Sequence, residues 1–322
     1  MKKSLFATAA ITMLFIMSNP CHVNAQEANI PPYYVQDKGL SAKLMDITEG
    51  LGLNKDFDVG ADGIEQISLA VIDLNGKKPH IGGVNMKNFI YPASVYKMYV
   101  AAEVLEKISR GELNMEDPYI VRSPNDADKT KEIRFDPRPL LKDGDTVTVN
   151  YLLDLMITRS DNSAANCMID IAGRPAINAM IHKNGWYGSE VTRKFLKRKY
   201  EDPGYDTIRG TETCALHAAD YMYKVYTNTL VNPWVSMQMK CLLGRQRDRS
   251  KLASGLPRNV MYYNKTGWFM YWTNDVGIAD DGKIRYIISC FVPLEADKAI
   301  PLMKKMSAEI YALMQARQKS GK

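Results

Sequence analysis

Segments with strand character sit near the two ends of this 322-residue chain, while almost everything between them reads as helix. Residues 67–74 (Ile-Ser-Leu-Ala-Val-Ile-Asp-Leu) form a buried-strand run, and Asn75-Gly76 supplies a hairpin turn into a second short strand. Strand patterns return at 259–265, 274–279 and 283–292, the last two joined by Asp280-Asp281-Gly282. Helical spacing of apolar residues marks 40–53, 99–108, 149–158, 164–171, 215–226 and a long closing helix over 296–318, with breaks expected near Gly111, Gly173 and Gly204. The simplest assembly brings both ends together as one five-stranded antiparallel sheet covered by the terminal helices. This predicts an α/β (α+β) sandwich formed by residues 26–93 and 258–322, with an all-α domain, residues 94–257, inserted into it.

Lys2 and Lys3 precede an apolar stretch over residues 5–17, and Val23-Asn24-Ala25 offers a small-residue cleavage site before Gln26. That pattern is a secretory signal peptide, residues 1–25, because the apolar run is shorter than the ~20 residues that span a bilayer. The mature protein is therefore expected in the periplasm or outside the cell, without a stable membrane span. Its length suits one large domain or two that share a core. The formal net charge of +6 is small and dispersed, which argues against nucleic acid as a partner. Residues 194–199 (Lys-Phe-Leu-Lys-Arg-Lys) form a basic run that reads as a solvated loop able to attract an anionic substrate. Four cysteines follow the signal (Cys167, Cys214, Cys241 and Cys290), leaving three possible pairings or simple burial. Neither they nor His80, His182 and His217 have metal-ligand spacing, so no metal or organic cofactor is expected.

Three short motifs carry the chemistry. Ser94-Val95-Tyr96-Lys97 opens a helical segment, where three-residue spacing sets the hydroxyl and the amine on one face. A serine alone is a feeble nucleophile; a lysine whose ammonium is desolvated can lose its proton and act as its base. Ser160-Asp161-Asn162 follows an apolar helix and by itself is an ordinary capping turn. Lys265-Thr266-Gly267 ends an apolar strand, offering a cation, a hydroxyl and a place for close backbone approach.

In this order, on helix, loop and strand, the motifs resemble the signature of class A β-lactamases and penicillin-binding proteins. The wider text, Met156-Ile157-Thr158-Arg159 before the second motif and Thr273-Asn274-Asp275-Val276-Gly277, is similar to that family too. The resemblance implies that Ser94 attacks a carbonyl to form an acyl-enzyme, Lys97 takes its proton, and Ser160 passes a proton to the leaving group. It also implies that Asn162 holds the substrate amide, Lys265 and Thr266 bind its carboxylate, and the backbone N–H groups of Ser94 and Trp268, beside Gly267, form the oxyanion hole. The substrate would be a small molecule, a β-lactam or a related peptide-like amide or ester, handled by a monomer.

Two departures from the family pattern leave the fate of the acyl group open. The Glu-x-x-Leu-Asn loop motif, whose glutamate activates the deacylating water, is absent; counting along the loop puts Arg198 there, and Glu201 is the candidate substitute. Trp268 stands where the family has a small residue, and it, Phe269 and Trp272 either pack inside or wall the cleft. The favoured expectation is a class A β-lactamase-like hydrolase. The alternatives are an acyltransferase using an alcohol or amine acceptor, a penicillin-binding-like carboxypeptidase or transpeptidase, and a non-catalytic sensor of β-lactams or cell-wall peptides.

Overall fold

The structure is a computed structural model that describes residues 28–60, 63–133, 135–204 and 210–320; the segment expected to be a signal peptide lies outside them. The first described residues lead into a two-residue strand, β1 (Val35–Gln36), followed by helix α1 (Lys38–Gly50), capped by the Asp37 carboxylate on the Leu40 N–H. Strands β2 (Ser68–Asp73) and β3 (His80–Val84) form the expected hairpin. Seven further helices follow: α2 (Lys97–Ser109), α3 (Val149–Asp154), α4 (Asn162–Ala172), α5 (Arg174–Lys183), α6 (Ala215–Tyr226), α7 (Pro233–Gly244) and, after the last strands, α8 (Ala296–Lys319). The C-terminal strands are β4 (Met261–Phe269), β5 (Trp272–Asp280) and β6 (Arg285–Val292).

The sheet order is β1-β3-β2-β6-β5-β4, so β2 from one end of the chain pairs directly with β6 from the other. Five of these strands are antiparallel as expected, and β1 adds a parallel edge. Both faces are buried, and the alternation along each strand shows why. Leu69, Val71, Ile288 and Cys290 meet Leu40 and Leu44 of α1 and Met303, Met306 and Ile310 of α8. Ala70, Ile72, Ile287 and Phe291 point the other way, into a core shared with α2, α4 and α6. The helical segment is not purely helical: Pro118–Ile120 pairs with Thr146–Thr148, where β-branched residues favour extended chain. The four cysteines among the described residues are free, three of them buried and Cys241 exposed.

Candidate active site

Ser94 lies in a 3₁₀ turn, Ala93–Tyr96, that runs straight into α2, so Lys97 is the first residue of that helix and is completely buried. Ala93 has φ +46°, a conformation an L residue holds only when its surroundings impose it. What imposes it is the edge strand β4. A Cβ on Gly267 would stand 2.6 Å from the Pro92 carbonyl oxygen and 2.9 Å from the Ser94 nitrogen. Only glycine lets the strand press against the backbone of the nucleophile turn. Asn274, on the neighbouring strand β5, fixes the approach by donating its side-chain amide to the Tyr91 carbonyl (3.1 Å).

The second motif is held differently. After α3 the chain widens into a π-helical turn, Leu155–Arg159, and Ser160 leaves it with φ +62°. Such turns expose carbonyls that need partners. Gln246 Nε2 donates to the Ile157 carbonyl (2.8 Å) and the Arg247 N–H to that of Thr158 (3.0 Å). Asp161 then caps α4 by accepting from the Ala164 N–H (2.7 Å) and pairs with Arg159 (2.7 Å), both side chains being shut off from solvent.

These supports set two amines on one hydroxyl. Lys97 Nζ donates to the Ser160 carbonyl (2.6 Å), to Asn162 Oδ1 (2.8 Å) and to Ser160 Oγ (3.3 Å). Lys265 Nζ donates to the same Oγ (2.8 Å) and to the Thr266 carbonyl (2.7 Å). Burial drives the Lys97 amine down to about 7, against the opposing pull of the Asp128 carboxylate. Burial, with Lys97 as a second cation close by, drives Lys265 well below the ordinary lysine range. An oxygen accepting from both nitrogens keeps its own O–H free to donate, so a proton can move among Lys97, Ser160 and a group in the cleft.

The cleft itself encloses about 690 Å³ and is lined by Ser94, Ser160, Asn162, Thr266, Gly267 and Trp268 among others. Ser94, Lys97, Ser160, Asn162, Lys265, Thr266, Gly267 and Trp268 thus come together. Glu201 does not line this cleft. Its carboxylate is closed to solvent beside Arg174 (3.1 Å) and Arg193 (3.5 Å), two guanidinium groups that occupy it as a structural counter-ion. Arg198, the residue found by counting, falls in the short turn Arg198–Tyr200. The residue that does face Lys97 is Phe195, whose ring centre lies 4.2 Å from the amine. Its only signal in the sequence is an apolar side chain inside a basic run. That run is not simply solvated, since the buried Lys194 ammonium pairs with Asp170 (2.6 Å). Trp268 and Phe269 are 61% and 52% exposed and wall the cleft, whereas Trp272 is buried against Tyr91. Among the described residues no group of three or more His, Cys, Asp or Glu side chains is placed to hold a metal ion, and no helix is long and apolar enough to cross a membrane.

Residues 54–314, most of the chain, match the sequence profile described as the beta-lactamase enzyme family. The chain belongs to that family. No curated protein sequence matches it significantly. Among similar solved structures is PBP-A, with a TM-score of 0.72 and 18% identity over 89% of this chain and 100% of that one. A β-lactamase from Sphaerobacter thermophilus DSM 20745 gives a TM-score of 0.70 and 18% identity, covering 85% of this chain and 98% of that one. A class A β-lactamase representing the last common ancestor of Gram-negative bacteria gives 0.67 and 20%, covering 85% and 99%. At these identities the likeness is one of fold, and it identifies the sandwich and helical insert as those of the β-lactamase and penicillin-binding architecture. Membership in the beta-lactamase enzyme family supports serine-hydrolase chemistry.

Proposed function

We propose that the protein is an exported serine acyl-transfer enzyme that opens β-lactams or related amides and esters through an acyl-Ser94 intermediate. The observation that carries this reading is the Ser160 hydroxyl shared by two buried amines, next to a serine whose turn is pressed against Gly267. In the acylation step the Ser94 oxygen bonds to the substrate carbonyl carbon and the carbon–nitrogen (or carbon–oxygen) bond breaks. The Ser94 proton moves to Lys97 and on through Ser160 to the leaving atom, so no oxidant or co-reactant is needed. Asn162 orients the acyl amide, and Lys265 and Thr266 receive the substrate carboxylate. Negative charge on the carbonyl oxygen is met by the Ser94 and Trp268 N–H groups.

Intact mass spectrometry after mixing with penicillin G tests this. The parent protein gains the full mass of the β-lactam, and the Ser94→Ala variant gains none. Equal labelling of the two would eliminate the proposal. The same spectrum of protein recovered from the exporting host reads the processing part of the proposal, in which the mature chain begins at Gln26.

A further inference from the structure

We propose that Phe195 is a positioning residue that seals the Lys97 side of acyl-Ser94 against water, so that hydrolysis of the intermediate is slow. This rests on the acyl-Ser94 reading above.

Hydrolysis requires a water molecule beside the acyl carbonyl with a base in hydrogen-bond reach of it. Its oxygen bonds to the carbonyl carbon, the bond to Ser94 Oγ breaks, one water proton ends on Oγ, and the acid is released. The amine of Lys97 is the natural anchor for such a water, but its three hydrogen bonds go to Ser160 and Asn162, and a ring lies over it at 4.2 Å. Among the described residues no carboxylate accepts a hydrogen bond from this amine. Three acidic residues among those described line the cleft: Asp128 accepts from the N–H and side-chain amide of Asn162, Asp248 is held by Lys251 and Ser250, and Glu132 is exposed to solvent and makes no hydrogen bond to Lys97.

The ring is fixed from several sides, so it is a wall and not a loose cover. It stacks on the Tyr96 ring at 4.8 Å with an 8° interplanar angle, and the Tyr96 hydroxyl donates to the Arg193 carbonyl (3.1 Å). The Phe195 N–H donates to Oδ1 of the buried Asn166 (2.7 Å), which ties the loop to α4. On either side the loop is staked by Lys194 on Asp170 (2.6 Å) and by Arg174 on Glu201 (3.1 Å) and Asp202 (2.8 Å). Glu201, the first carboxylate after Phe195 in sequence, is thereby spent on holding the wall in place.

The test compares the parent with Phe195→Ala and Phe195→Leu. Each is labelled with penicillin G and freed of excess reagent, and the Ser94 adduct is followed by intact mass. The parent adduct outlasts that of Phe195→Ala by at least about tenfold, while leucine, still an apolar cover, stays within about threefold of the parent. A second readout is the pH dependence of labelling. The groups facing Lys97 are the carboxylates of Asp128 and Asp161 and the ammonium groups of Lys131 and Lys265. All are unchanged in the variants, so admitting water raises the amine towards its ordinary value and moves the labelling inflection up by roughly one pH unit in Phe195→Ala. Should the alanine variant not label, Phe195→Val carries the same comparison. The proposal is overturned if the parent adduct clears as fast as the variant's, if leucine behaves like alanine, or if the inflection stays in place. Absence of any Ser94 adduct on the parent would instead remove the acyl-Ser94 reading itself.

Discussion

Gly267 has no room for a methyl group, and that single constraint sets the distance between the substrate strand and the nucleophile. In Gly267→Ala the new Cβ meets the Pro92 carbonyl and the Ser94 nitrogen, and β4 must move back. The expected result is a fall of about 100-fold in the rate of Ser94 labelling, the scale of losing one oxyanion donor, with the melting temperature little changed. Stopped-flow labelling with a chromogenic β-lactam checks it; a rate within threefold of the parent would show that the strand does not set the geometry. The motif residues are legible in the sequence because each supplies a reactive group at a short, fixed spacing from the next residue of its motif. The place of a deacylating base is not legible in the sequence, for the opposite reason. Counting assumes a regular loop, and this one takes its register from the Phe195 N–H on Asn166 and from the ion pairs around Arg174. Neither kind of contact has a spacing that can be read in one dimension.

At the scale of elements, the strand pairs and the helices at 215–226 and 296–319 follow directly from apolar periodicity. One exception, besides the strand pair at 118–120 and 146–148, is the run 149–158, which reads as one helix but becomes a π turn after Asp154. Nothing in Leu-Met-Ile-Thr-Arg breaks a helix; the wider turn is maintained by Gln246 and Arg247, which arrive from the end of α7 and take its carbonyls. The turn also buries Arg159 beside Asp161. Asp161→Asn retains an acceptor for the α4 cap while removing the charge that balances Arg159, and is expected to cost about 3 kcal/mol. Urea unfolding measures this, and an unchanged midpoint would mean that the Arg138 and Pro139 carbonyls, which Arg159 also reaches, satisfy the guanidinium alone.

At the scale of the whole molecule, the two ends of the chain are tied by Arg317 of α8, which reaches Asp73 on β2 and Asp37 at the start of α1, both at 2.7 Å. Burial alone would raise the Asp37 carboxyl, but the Leu40 N–H, Arg317 and His80 together lower it to about 2. A depressed carboxyl contributes stability that is complete above its unfolded value near 4 and is lost as pH falls towards 2. Arg317→Met is therefore expected to cost roughly 2 kcal/mol near neutrality, with the gap to the parent narrowing between about pH 4 and pH 2. Thermal melts across that range decide it, and a gap independent of pH would assign the loss to packing.

Because the second edge of β2, the one not taken by β3, is covered only by β6, a strand made early waits for the last one. A nascent chain lacking its C-terminal portion has the β2 hairpin with one edge open, and α1 has no α8 beside it across the sheet face. The core between the sheet, α1 and α8 is thus completed only after the C-terminal strands and helix have been made. Of the two amines on the Ser160 hydroxyl, Lys97 is local to the Ser94 turn, whereas Lys265 arrives on β4, so the pair is complete only once the C-terminal strands are in place.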